Sequence, residues 1–190
     1  MPDVDDARVL FTGPAGAGTT TAIRILSANP SDDALSAEEG GPVLQAVPFD
    51  HGVFEADDGR RALLYGAPNH LRFDFMWKRL ADEAVGMVVL LDHSRPDPAA
   101  DALRYVQTFG CLARRGVSVG VARFDPRRTP GLDTISFRLR SAGYRATVIE
   151  ADPRCRADMV RLLQPLLERA QQPPLTWRGG LETDPAPLSN

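Results

Sequence analysis

The chain has 190 residues, a net charge of −3, 43% hydrophobic residues and 25% charged residues. That length suits one domain with a sizeable core rather than two. The near-balanced charge argues against a nucleic-acid or polyanion surface, and no apolar run is long enough to span a membrane.

The pattern alternates short apolar runs with longer helical stretches, which predicts an α/β fold with a mainly parallel sheet. Arg8 to Thr12 reads as a buried strand running into a glycine-rich loop, and Thr20 to Leu26 opens the next helix. Ser27 to Leu44, rich in Ser, Asp, Glu, Gly and Pro, reads as a mobile loop. Val47 to Glu55 and Arg61 to Tyr65 flank Asp57-Asp58-Gly59, a hairpin turn signal. Arg72 to Ala84 has helical spacing, and Gly86 to Leu91 is a continuous apolar run of the kind a central strand carries. Ala99 to Arg114 reads as one amphipathic helix, Val117 to Val121 as a strand, Leu132 to Ala142 as a helix and Ala146 to Ile149 as a strand. Ala157 to Ala170 is the last predicted helix, with Val160, Leu163, Leu166 and Leu167 on its core face. From Gln171 periodicity ends, so residues 1–170 read as the domain and 171–190 as a mobile tail.

Cys111 and Cys155 lack metal or redox spacing and read as reduced thiols. With no signal peptide, no myristoylation pattern at Pro2 and no prenylation box at Leu188-Ser189-Asn190, the sequence reads as that of a cytoplasmic protein without a membrane anchor of its own.

The chemistry concentrates in Gly13 to Thr20, G-P-A-G-A-G-T-T. This is the phosphate-loop pattern G-x-x-x-x-G-K-[ST] with Thr19 in place of its lysine. Its position after a predicted strand and before a helix is the context the pattern needs. Gly13, Gly16 and Gly18 let the backbone curl so that amides point at phosphate oxygens, and the helix N-terminus adds partial positive charge. Pro14, Ala15, Ala17 and Thr21 complete the candidate phosphate-binding set, and Thr20 takes the Mg²⁺-ligand position. Of the 22 basic residues only Lys78 is a lysine, yet position 19 carries an uncharged threonine rather than arginine.

Further segments carry a resemblance. F-T-G-P-A-G-A-G-T-T-T-A-I (Phe11 to Ile23), F-D-H-G (Phe49 to Gly52) and L-Y-G-A-P-N-H-L-R-F-D-F-M-W (Leu64 to Trp77) are joined by three more. These are L-L-D-H-S-R-P-D-P (Leu90 to Pro98), V-G-V-A-R-F-D (Val119 to Asp125) and A-D-P-R (Ala151 to Arg154). Over roughly Arg8 to Leu167 the chain resembles bacterial small GTPases related to MglA and, more distantly, Arf-like proteins.

The resemblance implies a small G domain: a mostly parallel six-stranded sheet with one antiparallel edge strand and helices on both faces. It implies a switch that binds GDP or GTP with Mg²⁺, and a roadblock-type homodimer of the MglB kind as partner on the switch face. It also exposes departures. Gln45 and Ala46 stand where the family presents a threonine pair in switch I. Asn69 and His70 stand for the glycine and glutamine that contact the γ-phosphate and orient water. Ala122-Arg123-Phe124-Asp125 stands for N-K-x-D, keeping the aspartate that reads guanine. His70 reads either as a water-orienting catalytic imidazole or as a solvent-exposed switch residue. Arg123 and Arg72 are long enough to bring a charge toward the phosphates.

The losses fall on the terminal phosphate. The expectation is therefore a pseudo-GTPase, a switch or interaction protein with weak, GDP-only or absent guanine-nucleotide binding and little or no hydrolysis. A working slow GTPase and a site with changed base specificity, such as ATP, are the alternatives. His51 and His93 have no cluster partner in the sequence, and Asp92, ending an apolar strand, reads as a structural hydrogen-bonding residue.

Overall fold

The computed structural model describes residues 7–27, 50–67 and 83–170. Six strands form one sheet: β1 (Ala7–Thr12), β2 (His51–Glu55), β3 (Arg61–Gly66), β4 (Gly86–Asp92), β5 (Val117–Ala122) and β6 (Ala146–Glu150). Their order is β2-β3-β1-β4-β5-β6. Every neighbouring pair is parallel except β2 with β3, which pair antiparallel from His51 opposite Tyr65 to Glu55 opposite Arg61. The predicted hairpin turn closes them, with the Ala56 N–H donating to the Arg60 carbonyl at 2.8 Å.

Helices cover both faces. α1 (Thr19–Leu26) and α5 (Arg156–Ala170) lie on one side. Ala22, Ile23 and Leu26 of α1 and Met159, Leu162, Leu163 and Leu166 of α5 pack there with Val9, Phe11, Val88 and Leu90. On the other side stand α2 (Pro98–Thr108), α3 (Gly110–Ala113) and α4 (Leu132–Ser141). Their Ala99, Ala102, Val106, Leu112, Ile135 and Leu139 meet Leu10, Met87, Val89, Leu91 and Val119. Alternate residues of each strand thus serve opposite cores, as the two-residue period of a strand requires. A strand buried on both faces must be apolar throughout, and β4 (G-M-V-V-L-L-D) is buried at every residue.

The predicted strands and helices coincide with the observed ones within a residue or two where the structure describes them, with one correction. The stretch read as a single helix over Ala99 to Arg114 breaks after Thr108 and resumes as one short turn at Gly110–Ala113. Phe109 leaves helical geometry there, at φ −106° and ψ 38°. A helix stop costs little where glycine follows, and the apolar spacing runs through the break unchanged, so periodicity could not reveal it. The predicted loop beyond Ser27, the body of the Arg72 to Ala84 helix and the tail from Gln171 lie outside the described residues.

Because the strands are parallel, the carboxyl ends of β1, β4, β5 and β6 emerge at the same edge of the sheet. The chain leaves β1 toward β3 on one side while β4, β5 and β6 extend on the other. Such a reversal of direction opens a crevice at the strand ends, where α/β sheets bind ligands.

Candidate functional site

A cleft of about 740 Å³ opens at this edge. One wall is the loop between β1 and α1, through Gly16, Ala17, Gly18 and Thr21. The floor is the ends of β4 and β5, through Asp92 and Ala122 to Phe124. The far wall is the β6–α5 connection, through Ala151 to Arg154.

The loop is built tightly. Gly13 is buried against the Leu90 backbone, and the Ala17 N–H folds back onto the Pro14 carbonyl at 3.0 Å. Gly18 has φ +98°, the left-handed region that disfavours a side chain, and it begins α1 as its N-cap. Pro153 lies directly over it: a Cβ on Gly18 would sit 2.6 Å from the Pro153 ring.

A helix start leaves its first N–H groups without intrahelical partners. α2 answers this with its own chain, since Asp97 accepts the Ala100 N–H at 2.9 Å. α1 does not. It has no side-chain cap and no acidic residue in its first turn. Among the described residues no carbonyl accepts from the N–H groups of Gly16, Gly18, Thr19 or Thr20. The uncapped end of α1 carries the partial positive charge of the helix dipole toward the cleft, and an anion suits it.

Thr20 is the second residue of α1. Its hydroxyl donates to Asp50 Oδ2 at 2.5 Å, and the Asp50 carbonyl accepts from Gly66 N–H at 2.7 Å. The start of β2 is thereby fastened both to α1 and to β3. Sequence reasoning placed a cation ligand at Thr20 but missed Asp50, although F-D-H-G was read as a motif. A hydroxyl and a carboxylate oxygen are hard donors of the type Mg²⁺ takes alongside phosphate and water. Among the described residues no group of three or more His, Cys, Asp or Glu side chains gathers into a metal site, so a cation here would draw its remaining ligands from elsewhere.

Across the cleft, Asp92 ends β4. Its Oδ1 accepts from the Ser94 backbone N–H at 2.9 Å and from the Ser94 hydroxyl at 2.6 Å, and its Oδ2 pairs with the Arg123 guanidinium. Burial pushes this carboxyl up. The two Ser94 hydrogen bonds, with the nearby Arg123 and Arg95 cations, outweigh burial and hold it below the ordinary carboxylate value. Asp92 therefore has the structural role read from the sequence. Arg123 sits at φ +53° with its side chain turned onto Asp92. Arg123 also lines the cleft, so the structure places this cation at its floor, paired with Asp92.

Asp125 is in a turn, its Oδ1 accepting the Arg127 N–H at 2.9 Å. The A-D-P-R segment supplies more of the cleft than sequence reasoning gave it. Asp152 caps its own turn through the Arg154 N–H at 2.9 Å, while Asp158 accepts the Asp152 N–H at 3.0 Å. Glu150, Asp152 and Asp158 with Arg154 and Arg161 make that wall mixed in charge rather than cationic. His70 and Arg72 lie outside the described residues, as do Gln45, Ala46 and Asn69. Cys111 and Cys155 are free and exposed.

Comparison of the chain with protein-family models and with curated proteins gives no match.

Proposed function

We propose that the protein is a degenerate small-GTPase-like switch fold, of the MglA-like and Arf-like kind, which binds the diphosphate of a guanine nucleotide weakly and does not cleave GTP. The observation that carries this is the uncapped N-terminus of α1, closed by a glycine loop and opening on a cleft at the ends of β1, β4, β5 and β6. Unpaired amides and a helix dipole suit phosphate oxygens without any side chain.

What a γ-phosphate needs is a cation, because catalysis of phosphoryl transfer is mostly positioning and charge neutralisation. Thr19 offers none, and the Arg123 charge is held by Asp92. With nucleotide binding weak and hydrolysis absent, the protein serves as an interaction module, with a roadblock-type homodimer as its partner.

A second reading, a slow GTPase that retains Mg²⁺, draws on the Thr20–Asp50 oxygen pair. Titration of GDP, GTP and ADP with and without Mg²⁺, together with phosphate release, separates the two. The first reading expects GDP to bind in preference to ADP, GTP to bind no more tightly than GDP, and phosphate release to stay at background with or without a roadblock homodimer. Mg²⁺-dependent hydrolysis stimulated by that partner would establish the second reading and end the first.

A further inference from the structure

His93 follows β4, is 1% exposed, and takes no part in the phosphate end of the cleft. Both of its ring nitrogens are used. Nδ1 accepts the Asp125 N–H at 3.1 Å, and Nε2 lies 2.9 Å from the Pro130 carbonyl. An amide N–H only donates and a carbonyl only accepts, so Nδ1 is bare and Nε2 carries the proton: the imidazole is the neutral Nε2–H tautomer. Its own N–H donates to the Ala122 carbonyl at 3.0 Å. Its ring packs on Phe124, with centroids 4.9 Å apart.

The buried imidazole therefore ties Asp125 to Pro130, while the backbone of the same residue holds Ala122. Within the segment from Ala122 to Pro130, Asp125 uses Oδ1 for the Arg127 N–H. Its Oδ2 accepts no hydrogen bond among the described residues, and Asp125 directly follows Phe124, which lines the cleft. An apolar residue of similar size at 93 would fill the space but leave a half-buried N–H and a half-buried carbonyl without these partners.

We propose that His93 is the positioning residue for base recognition: as a neutral imidazole it fixes where the Asp125 carboxylate stands relative to the cleft. This rests on the nucleotide reading above. It assigns to His93 the discrimination between bases and none of the phosphate affinity, because its contacts are with the β5–α4 segment and not with the glycine loop.

The test compares the intact protein with His93→Ala, and with His93→Asn, which keeps an acceptor near the Nδ1 position. GDP, ADP and inorganic pyrophosphate are titrated into each, and hydrogen exchange of the Asp125 amide is followed without ligand. In His93→Ala the preference for GDP over ADP falls about tenfold, the scale of one lost hydrogen bond, with pyrophosphate affinity unchanged. The Asp125 amide exchanges about tenfold faster in that variant, and His93→Asn restores most of both. Unchanged exchange at Asp125, or GDP and pyrophosphate affinities falling together, overturns the proposal. A wild-type protein that binds no GDP overturns the nucleotide reading and the base-recognition role with it, while exchange still decides whether His93 holds the segment.

Discussion

Gly18 lies beneath Pro153: a Cβ added at Gly18 would come within 2.6 Å of the proline ring. The loop after β1 and the loop after β6 are thus in contact through a residue that has no side chain. Alanine at 18 meets both a left-handed backbone and an occupied space. Alanine at Gly16, whose φ is +80°, meets the backbone cost alone, since nothing lies within 4 Å of that position. Gly16→Ala should destabilise the fold by about 1–2 kcal/mol. Gly18→Ala should cost roughly 3 kcal/mol, because the proline contact adds to the backbone term. Urea denaturation of the two variants checks the ranking, and equal losses would mean that Pro153 yields freely.

Thr19→Lys restores the absent cation at the first residue of α1. A charge-assisted hydrogen bond contributes about 1.5–3 kcal/mol, so GTP affinity should rise by roughly 10–150-fold. Calorimetric titration reads this directly. An unchanged affinity would show that the loop does not cradle phosphate.

Asp92 has a lowered pKa in the folded protein, so its contribution to stability is present above the unfolded carboxylate value and lost as pH falls through the folded one. At pH 7 the contribution is complete, and below about pH 4 it declines. Asp92→Asn should cost about 1–3 kcal/mol at pH 7, with the gap to the wild type narrowing on acidification. Denaturation curves at neutral pH and near pH 3.5 test this. A gap that widens in acid would contradict the pairing with Ser94 and Arg123.

Ser118 is the second residue of β5, with its hydroxyl buried and without a hydrogen-bond partner among the described residues. A buried polar group left unpaired carries a desolvation cost. Ser118→Ala should therefore raise stability by about 1 kcal/mol, seen as a higher denaturation midpoint with an unchanged slope. A loss of stability would reveal that the hydroxyl has a partner after all.

The strands were legible because burial on both faces demands unbroken apolar runs, as at Gly86 to Leu91, and because Asp57-Asp58-Gly59 has the composition of a hairpin turn. The glycine loop was legible because its residues are consecutive. What stayed hidden depends on contacts across the sheet. Thr20 meets Asp50 thirty positions away, and Pro153 covers Gly18 from the opposite end of the chain. His93 looked isolated because its partners, Asp125 and Pro130, are backbone groups, and a main-chain N–H or carbonyl has no letter in a sequence. The break at Phe109 was hidden for the opposite reason: the apolar spacing continues across it.

The cleft lining comes chiefly from three walls, around residues 16–21, around 92 with 121–132, and around 148–161. No two of these walls are neighbours in the unfolded chain, so the cavity vanishes when the sheet comes apart. Any molecule that prefers it must then shift the folding equilibrium by mass action, by about 2.7 kcal/mol at a hundredfold excess over its dissociation constant. The melting temperature of the protein thereby becomes an assay for the cleft, able to rank nucleotides, pyrophosphate and metal salts without a binding partner or catalytic turnover.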